Sequence, residues 1–93
     1  MIQEITTRMP ADAVLAAAKT FFVRRNPLYG VFPEKEGPDY VVFRGQGNEE
    51  LVIGVTSVEA GTLVRGSTYL YDAQVARFLT TLDPLTMAEE RVG

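Results

Sequence analysis

The feature that most constrains the fold is the 20-residue stretch LVIGVTSVEAGTLVRGSTYL, residues 51–70. Apolar and polar residues alternate on both sides of a short turn-forming segment, which is the pattern of two antiparallel strands joined by a hairpin. Each predicted strand carries one glycine, Gly54 and Gly66. Glycine weakens a strand interior because it has no side chain to pack and loses more entropy than other residues on folding. These two glycines therefore need a structural or functional explanation.

The loop EAG between these two strands predicts their register. Three-residue hairpin loops favour a type I turn followed by a left-handed residue, and the glycine of EAG occupies that place. With residues 59–61 as the loop, Val58 pairs with Thr62 and Gly54 falls opposite Gly66. In the preceding hairpin, a turn at Gln46-Gly47 would place Arg44 opposite Glu49 as an opposite-charge pair. We therefore expect the two glycines to form one bare patch across neighbouring strands.

Two segments have the apolar periodicity of amphipathic helices. Residues 9–25, MPADAVLAAAKTFFVRR, form the first, which begins at Pro10 and is stopped by Asn26-Pro27. Residues 71–84, YDAQVARFLTTLDP, form the second, with Asp72 as its predicted N-cap. The apolar stripes consist of Val14, Leu15, Ala18, Phe21 and Phe22 in the first helix and of Val75, Phe78, Leu79 and Leu82 in the second.

Three further segments have strand character: residues 1–7, 28–34 and 40–44. Pro33 has no backbone donor, so the strand that contains it is predicted at a sheet edge. The element order is then β-α-β-β-β-β-α, and strands joined by short turns form an antiparallel sheet. The sequence predicts an α+β fold, with a five-stranded antiparallel sheet and both helices on one face. Residues 1–84 are expected to form a single domain and residues 85–93 a mobile C-terminal tail.

Alternation along the strands separates the side chains into two faces. The glycine face carries Val41, Phe43, Val52, Gly54, Thr56, Val64, Gly66, Thr68 and Leu70, and the other face carries Tyr40, Val42, Arg44, Glu49, Leu51, Ile53, Val55, Leu63, Arg65, Ser67 and Tyr69. We expect the helices on the glycine face, because bare glycines allow close approach and Arg65 would be costly to bury unpaired. The other face has the larger aliphatic side chains, so the reverse assignment stays open.

This assignment leaves a large apolar surface on the open side of the sheet. Monomeric proteins rarely expose such a patch, and twofold homodimers are the commonest oligomers. The predicted function is therefore that of a non-enzymatic interaction protein that forms a homodimer through its open sheet face. The predicted interface residues are Val42, Leu51, Ile53, Val55 and Leu63.

An alternative function is the binding of a small apolar or amphipathic ligand between the sheet and the C-terminal helix. Arginine offers a fork of donors and tyrosine a flat amphipathic surface, while glycines leave room for a ligand. The candidate ligand-binding residues are Gly54, Gly66, Arg44, Arg65, Tyr40 and Tyr69. The competing structural explanations are close helix packing at the glycines and a polar interface rim with structural ion pairs at the arginines.

Composition removes several function classes. The chain has 12 acidic and 9 basic residues and a net charge of −3, whereas nucleic-acid binding needs a basic face. It has neither cysteine nor histidine, so disulfides, thiolate chemistry and the commonest general base are missing. The acidic residues Glu34, Glu36 and Asp39 lack the spacing of a calcium loop. We therefore expect no metal, no cofactor, no catalytic constellation, no membrane segment and a cytoplasmic location.

The order β-α-β-β-β-β-α resembles the TBP-like arrangement, whose relatives include the helix-grip proteins of the Bet v 1 and START type. The resemblance covers nearly the whole chain and includes the run GTLVRGSTYLYDAQVARFL, in which a strand leads directly into a helix. The chain is shorter than a helix-grip protein and lacks the basic saddle and tandem repeat of a TATA-binding protein. The resemblance implies a fold in which the last strand lies between the first and fourth strands.

Overall fold

The structure is a computed structural model that describes residues 2–25 and 31–82 of the 93-residue chain. The predicted tail and the first part of the predicted strand 28–34 lie outside these residues. The described elements are β1 (Ile2–Thr7), α1 (Ala11–Thr20) with a π-helical turn (Phe21–Arg25), β2 (Phe32–Gly37), β3 (Tyr40–Arg44), β4 (Glu50–Val58), β5 (Gly61–Thr68) and α2 (Asp72–Thr81).

The five strands form one antiparallel sheet in the order β1-β5-β4-β3-β2, which confirms the predicted fold class. The last strand lies between the first and fourth, as the TBP-like resemblance implies. Pro33 lies in β2 at the sheet edge, where its missing donor breaks no ladder between two neighbours. β1 forms the other edge of the sheet and pairs with β5.

The core lies between the sheet and the two helices. All the predicted stripe residues of both helices are buried, and an aromatic cluster joins them to the sheet. The ring of Phe22 packs 5.3 Å from the ring of Phe43 in β3 and 5.3 Å from that of Phe78 in α2. Such tilted aromatic pairs stabilise beyond the area that they bury.

The first residue of each helix differs from the prediction by one position, and α2 ends at Thr81, before the predicted stop at residues 83–84. Pro10 is the N-cap of α1 and Ala11 its first residue, so the proline precedes the helix. In α2 the N-cap is Tyr71, and no side chain caps the backbone there. The prediction that Asp72 is the N-cap is wrong, since Asp72 is the first helical residue.

The predicted register of β4 is wrong by one residue against β5. Val58 pairs with Gly61, so the loop consists of residues 59–60 only. Gly54 consequently pairs with Arg65, and Gly66 pairs with Ile53. The two glycines are diagonal neighbours whose Cα positions face opposite sides of the sheet, so the single bare patch does not form.

The preceding hairpin is also shifted by one residue. Arg44 pairs with Glu50 instead of Glu49, and the loop consists of residues 46–48. The amide of Asn48 donates to the carbonyl of Gly45 at 3.0 Å, and Asn48 has a φ of 70°. This is the three-residue loop that was expected at the other hairpin, with asparagine in the left-handed position that it tolerates better than most residues.

A shift of one residue on both sides reverses the two faces of β4. Leu51, Ile53 and Val55 are 1%, 0% and 5% exposed and face the helices. Their predicted place in an interface on the open face is therefore wrong. The physical reason is that large aliphatic side chains gain most by facing the helices, and the loops of both hairpins permit it. Val42 and Leu63 are half-buried on the open face, as predicted.

The faces of β3 and β5 agree with the prediction. Arg65 lies on the open face, and the positions within β3 and β5 that were predicted on the helix side are buried. These buried positions are Val41, Phe43, Val64, Gly66 and Thr68. Leu70, predicted on the same side, is 60% exposed because β5 ends at Thr68 and the chain turns toward α2. β4 alone presents the opposite set, so Val52, Gly54 and Thr56 belong to the open face.

Candidate functional site

One row of residues crosses the open face at Gly54. Strand pairing places Glu4 opposite Arg65, Arg65 opposite Gly54, Gly54 opposite Tyr40 and Tyr40 opposite Gly37. Directly opposite residues of an antiparallel sheet project on the same face. We call these five residues the dish row, because the sheet has a shallow depression at its centre.

The floor of the depression is Gly54, and no side chain of the described residues lies within 4 Å of the place that its Cβ would take. A Cβ placed on Gly54 would meet only the carbonyl oxygen of Asp39, at 3.9 Å, which is an ordinary van der Waals distance. Gly54 does not have a positive φ either. Neither crowding among the described residues nor backbone conformation therefore requires glycine at this position.

The two walls of the depression lean away from Gly54. A Cβ on Gly37 would collide with the ring of Tyr40, so this ring covers Gly37 at the β2 edge. On the other side, Arg65 Nε donates to Glu4 Oε2 at 2.7 Å, which draws the guanidinium toward β1. The depression that remains has a volume of 360 Å³, and we call it the Gly54 dish. Its lining consists of Asp39, Tyr40, Gly54, Val55, Thr56, Leu63 and Arg65.

Gly66 has a different environment on the helix side. A Cβ on Gly66 would lie 2.5 Å from Cγ1 of Val75 in α2, so the helix fills the space that the missing side chain leaves. This confirms close helix packing as the explanation of Gly66. The predicted ligand cavity over both glycines is wrong, because Gly54 faces away from the helices.

Arg44 belongs to an ion-pair cluster instead of the Gly54 dish. Arg44 Nη2 donates to Glu34 Oε1 at 2.8 Å, and Arg44 Nε lies 3.2 Å from the same oxygen. A second carboxylate, that of Glu50, lies 3.4 Å from Nη2. The hydrogen bond from Arg44 lowers the pKa of Glu34, and the same bond raises the pKa of Arg44. Arg44 thus acts as a structural tie between β2 and β4.

Glu49, the predicted partner of Arg44, contacts other groups. The hydroxyl of Tyr71 donates to Glu49 Oε1 at 3.1 Å, and the amide of Gly47 donates to the same oxygen at 3.1 Å. The carboxylate therefore ties the β3–β4 loop to the start of α2. This contact stabilises the register of the hairpin and leaves Arg44 to pair with Glu34 and Glu50.

Tyr69 lies near a second hollow at the other end of the open face. It follows the last residue of β5, and its side chain is 99% exposed. The hollow has a volume of 490 Å³ and is lined by Ile2, Glu50, Ser67, Thr68 and Tyr69. The pairing of β4 with β5 ends at Leu51 and Thr68; extended by one residue, it places Tyr69 beside Glu50, and both line this hollow next to Arg44, the pairing partner of Glu50. We call Tyr69, Glu50 and Arg44 the end row.

A third row separates the dish row from the end row. Pairing joins Ile2 to Ser67, Ser67 to Val52, Val52 to Val42 and Val42 to Lys35. We call these five residues the central row. Val52 and Val42 are half-buried at its middle, and Ile2 is 60% exposed at its end.

Of the six candidate ligand-binding residues, the structure brings Gly54, Arg65 and Tyr40 together. Arg44 and Tyr69 share the open face with them but lie in the end row, and Gly66 lies on the helix side. Sequence analysis missed Val52, Thr56 and Glu50 as open-face residues. The signal that could have found them was Asn48, which favours the three-residue loop at the first hairpin and with it the opposite face of β4.

No protein-family model matches the chain, and comparisons with curated proteins and with solved structures also give no match. Within residues 2–25 and 31–82, no group of His, Cys, Asp or Glu side chains is placed to hold a metal ion. Neither helix of the described chain has the length and hydropathy that crossing a bilayer requires. The TBP-like resemblance stays a prediction, and the geometry of the open face carries the functional argument.

Proposed function

We propose that this protein is a non-enzymatic interaction protein that packs a second copy of itself on its open sheet face. The observation that carries the proposal is the Gly54 dish, a depression whose floor has no structural need for glycine. Glycine within a strand often marks a place where another molecule approaches closely. At Gly66 this space is occupied by helix α2 of the same chain, whereas at Gly54 the space is open.

The shape of the dish favours side chains from a facing surface over an enclosed small molecule. Ligand pockets enclose most of their ligand, whereas the dish has walls on two sides and opens to the whole sheet face. Tyrosine and arginine, the residue types of its walls, are enriched among the side chains that dominate protein–protein binding. The half-buried Val52 and Val42 beside the dish provide the apolar centre that such interfaces have.

The charges of the open face favour a self-complementary partner. The charged side chains of its described strands are Glu4, Glu34, Glu50, Lys35, Arg44 and Arg65. The two signs balance and alternate across the face, so a copy of the same surface can place each sign against its opposite. A nucleic acid would instead require an excess of positive charge. A twofold dimer, in which both copies use the same patch, is therefore the partner that fits best.

Sedimentation equilibrium tests the proposal directly. The wild-type chain is expected to fit a monomer–dimer equilibrium, and Val52→Glu is expected to shift it to monomer by placing a carboxylate at the apolar centre. Ala16→Glu is the matched control, since it adds the same charge at an exposed position of α1. The proposal fails if the wild type sediments as a monomer at every concentration, or if both variants dimerise equally.

A second candidate is the binding of a small amphipathic ligand in the Gly54 dish. The 360 Å³ volume lies at the lower end of the range of about 300–1,000 Å³ for ligand pockets. Tyr40 and Arg65 would then contact opposite ends of the ligand. A fragment screen by amide NMR, with Gly54→Leu as the blocked control, distinguishes this candidate from dimerisation. Shifts around the dish that saturate in a monomeric protein and vanish in Gly54→Leu would favour the ligand.

A further inference from the structure

Resting on the proposed dimer, we infer that its two copies pack with opposite strand directions, so that the end row of each copy covers the dish row of the other. The twofold axis then runs across the strands, along the central row. In this arrangement the partner's Glu50 lies over Gly54, and the partner's Tyr69 lies over Arg65.

Symmetry limits the choice of arrangement. A twofold axis that relates two sheets packed face to face lies in the plane between them, and aligned sheets keep their strands within about 30° of each other. The axis therefore runs either across the strands or along them. An axis across the strands reverses their direction and keeps each strand over its own copy. An axis along β4 keeps the direction and places β5 over β3.

With the axis across the strands, the two rows beside the central row exchange places. Gly54 then faces the partner's Glu50, whose carboxylate has room to enter the dish because the floor has no side chain. Arg65, 60% exposed, borders the place that this carboxylate enters. Arg65 also faces the partner's Tyr69, and Tyr40 faces the partner's Arg44, which are cation–π pairs. The dish is filled, and Glu50, Arg65 and Arg44 each meet an opposite charge or an aromatic face.

With the axis along β4, β5 lies over β3, so Arg65 would meet the partner's Tyr40 and Tyr69 the partner's Arg44. The residues of β4 itself, however, meet unfavourably. Glu50 would face the partner's Glu50, and Gly54 would face the partner's Gly54. The first contact opposes two carboxylates, and the second joins two depressions into one void, whereas interface cores are packed as densely as protein interiors. With the axis across the strands, Lys35 does face the partner's Lys35. That residue lies in an edge strand, where twisted sheets diverge, and it is exposed.

The arrangement also explains the exposure of Tyr69. An aromatic side chain that is 99% exposed makes almost no contact with the described part of its own chain. Tyrosine is among the residue types that carry most binding energy at interfaces. Its position in the end row places it, after the twofold rotation, against the guanidinium that borders the Gly54 dish.

Distances between spin labels test the direction of the strands. The chain has no cysteine, so a single engineered cysteine takes the label, and Gln46→Cys and Ala60→Cys lie in the exposed loops at opposite ends of β4. At about 3.4 Å per residue and about 10 Å between sheets, the arrangement predicts roughly 15 Å between position 60 and the partner's position 46. It predicts roughly 50 Å between the two copies of position 60.

The outcomes separate this inference from the proposed function. Electron–electron double resonance on a mixture of the two labelled variants should give the short distance, and Ala60→Cys alone should give the long one. A short distance for Ala60→Cys alone would overturn the inference and leave the dimer intact. Absence of any intermolecular distance, together with a monomer mass, would overturn both.

A second measurement tests the residue contacts. Tyr69→Ala should weaken dimerisation about tenfold or more in sedimentation equilibrium, as expected for an interface tyrosine. Leu70→Ala is the control, since Leu70 is the next residue and is also exposed, at 60%. Equal effects of the two substitutions would contradict the placement of Tyr69 against Arg65.

Discussion

Gly66 and Gly54 lie on neighbouring strands, one residue apart in register, and differ in what surrounds them. At Gly66, Val75 of α2 approaches so closely that a Cβ would lie 2.5 Å from its Cγ1. At Gly54, the nearest atom to a Cβ would be a carbonyl oxygen at 3.9 Å. The helix side of the sheet thus accounts for its glycine through packing within the chain. The open side does not, and this difference directs attention to a molecule outside the chain.

Substitutions on the two opposite faces of β4 should give the largest difference in the free energy of unfolding. Ile53→Ala should lower the free energy of unfolding by about 2–5 kcal/mol, because it leaves a cavity in a fully buried position. The adjacent Val52→Ala, measured below the dimerisation concentration, should change it by less than about 1 kcal/mol. Urea unfolding followed by circular dichroism measures both. Equal losses at the two positions would contradict the register of β4.

Gly66→Ala should give the next largest change in the free energy of unfolding. Its Cβ would overlap the buried Val75, and overpacking of this kind costs about 1–3 kcal/mol. The same unfolding measurement should show destabilisation without loss of cooperativity. The double variant Gly66→Ala/Val75→Ala is the control, since it removes the overlapping methyl groups and should recover part of the loss beyond what Val75→Ala alone predicts.

Gly54→Ala should stabilise the monomer, whereas Gly66→Ala should destabilise it. The added methyl group has ordinary contacts and restricts the unfolded chain, so the monomer should gain about 0.5–1 kcal/mol. Thermal unfolding at low protein concentration measures this gain. A loss of stability comparable to that of Gly66→Ala would mean that the two glycines do not differ, and the structural argument for the Gly54 dish would fall.

The smallest effect concerns the ion pair at the edge of the open face. The folded-state pKa of Glu34 is lowered by Arg44, so its contribution to stability is present above the unfolded pKa and is lost as the pH falls through the folded value. In Arg44→Gln, the carboxyl resonance of Glu34 should titrate at a higher pH than in the wild type. An unchanged midpoint in an NMR titration would show that the hydrogen bond is not formed in solution.

The element order, the antiparallel sheet, the edge position of Pro33 and both helix stripes could be predicted from the sequence. These features follow from local periodicity and from the backbone restrictions of proline. The face of β4 could not, because both of its alternating sets contain apolar residues and a change of one residue in either hairpin loop exchanges them. The deciding interactions are those of Asn48 and of Glu49 with Tyr71, which joins residues distant in sequence.

The candidate site was predicted only in part for the same reason. Arg65 and Tyr40 are on strands whose faces were predicted correctly, and they border the dish. The prediction that Gly54 lies on the helix side follows from its predicted pairing with Gly66, which is wrong by one residue. Its actual neighbours show that the pairing of Arg65, Gly54 and Tyr40 across three strands creates the depression. Such a row depends on two registers at once, which local pattern does not specify.

The most direct test of the central claim is the dimer dissociation constant of Gly54→Leu against that of the wild type, measured by sedimentation equilibrium. The account predicts that the leucine side chain fills the dish and weakens dimerisation about tenfold or more, while the variant monomer unfolds at a temperature equal to or above that of the wild type. An unchanged dissociation constant, or a wild-type chain that remains monomeric throughout, would contradict it.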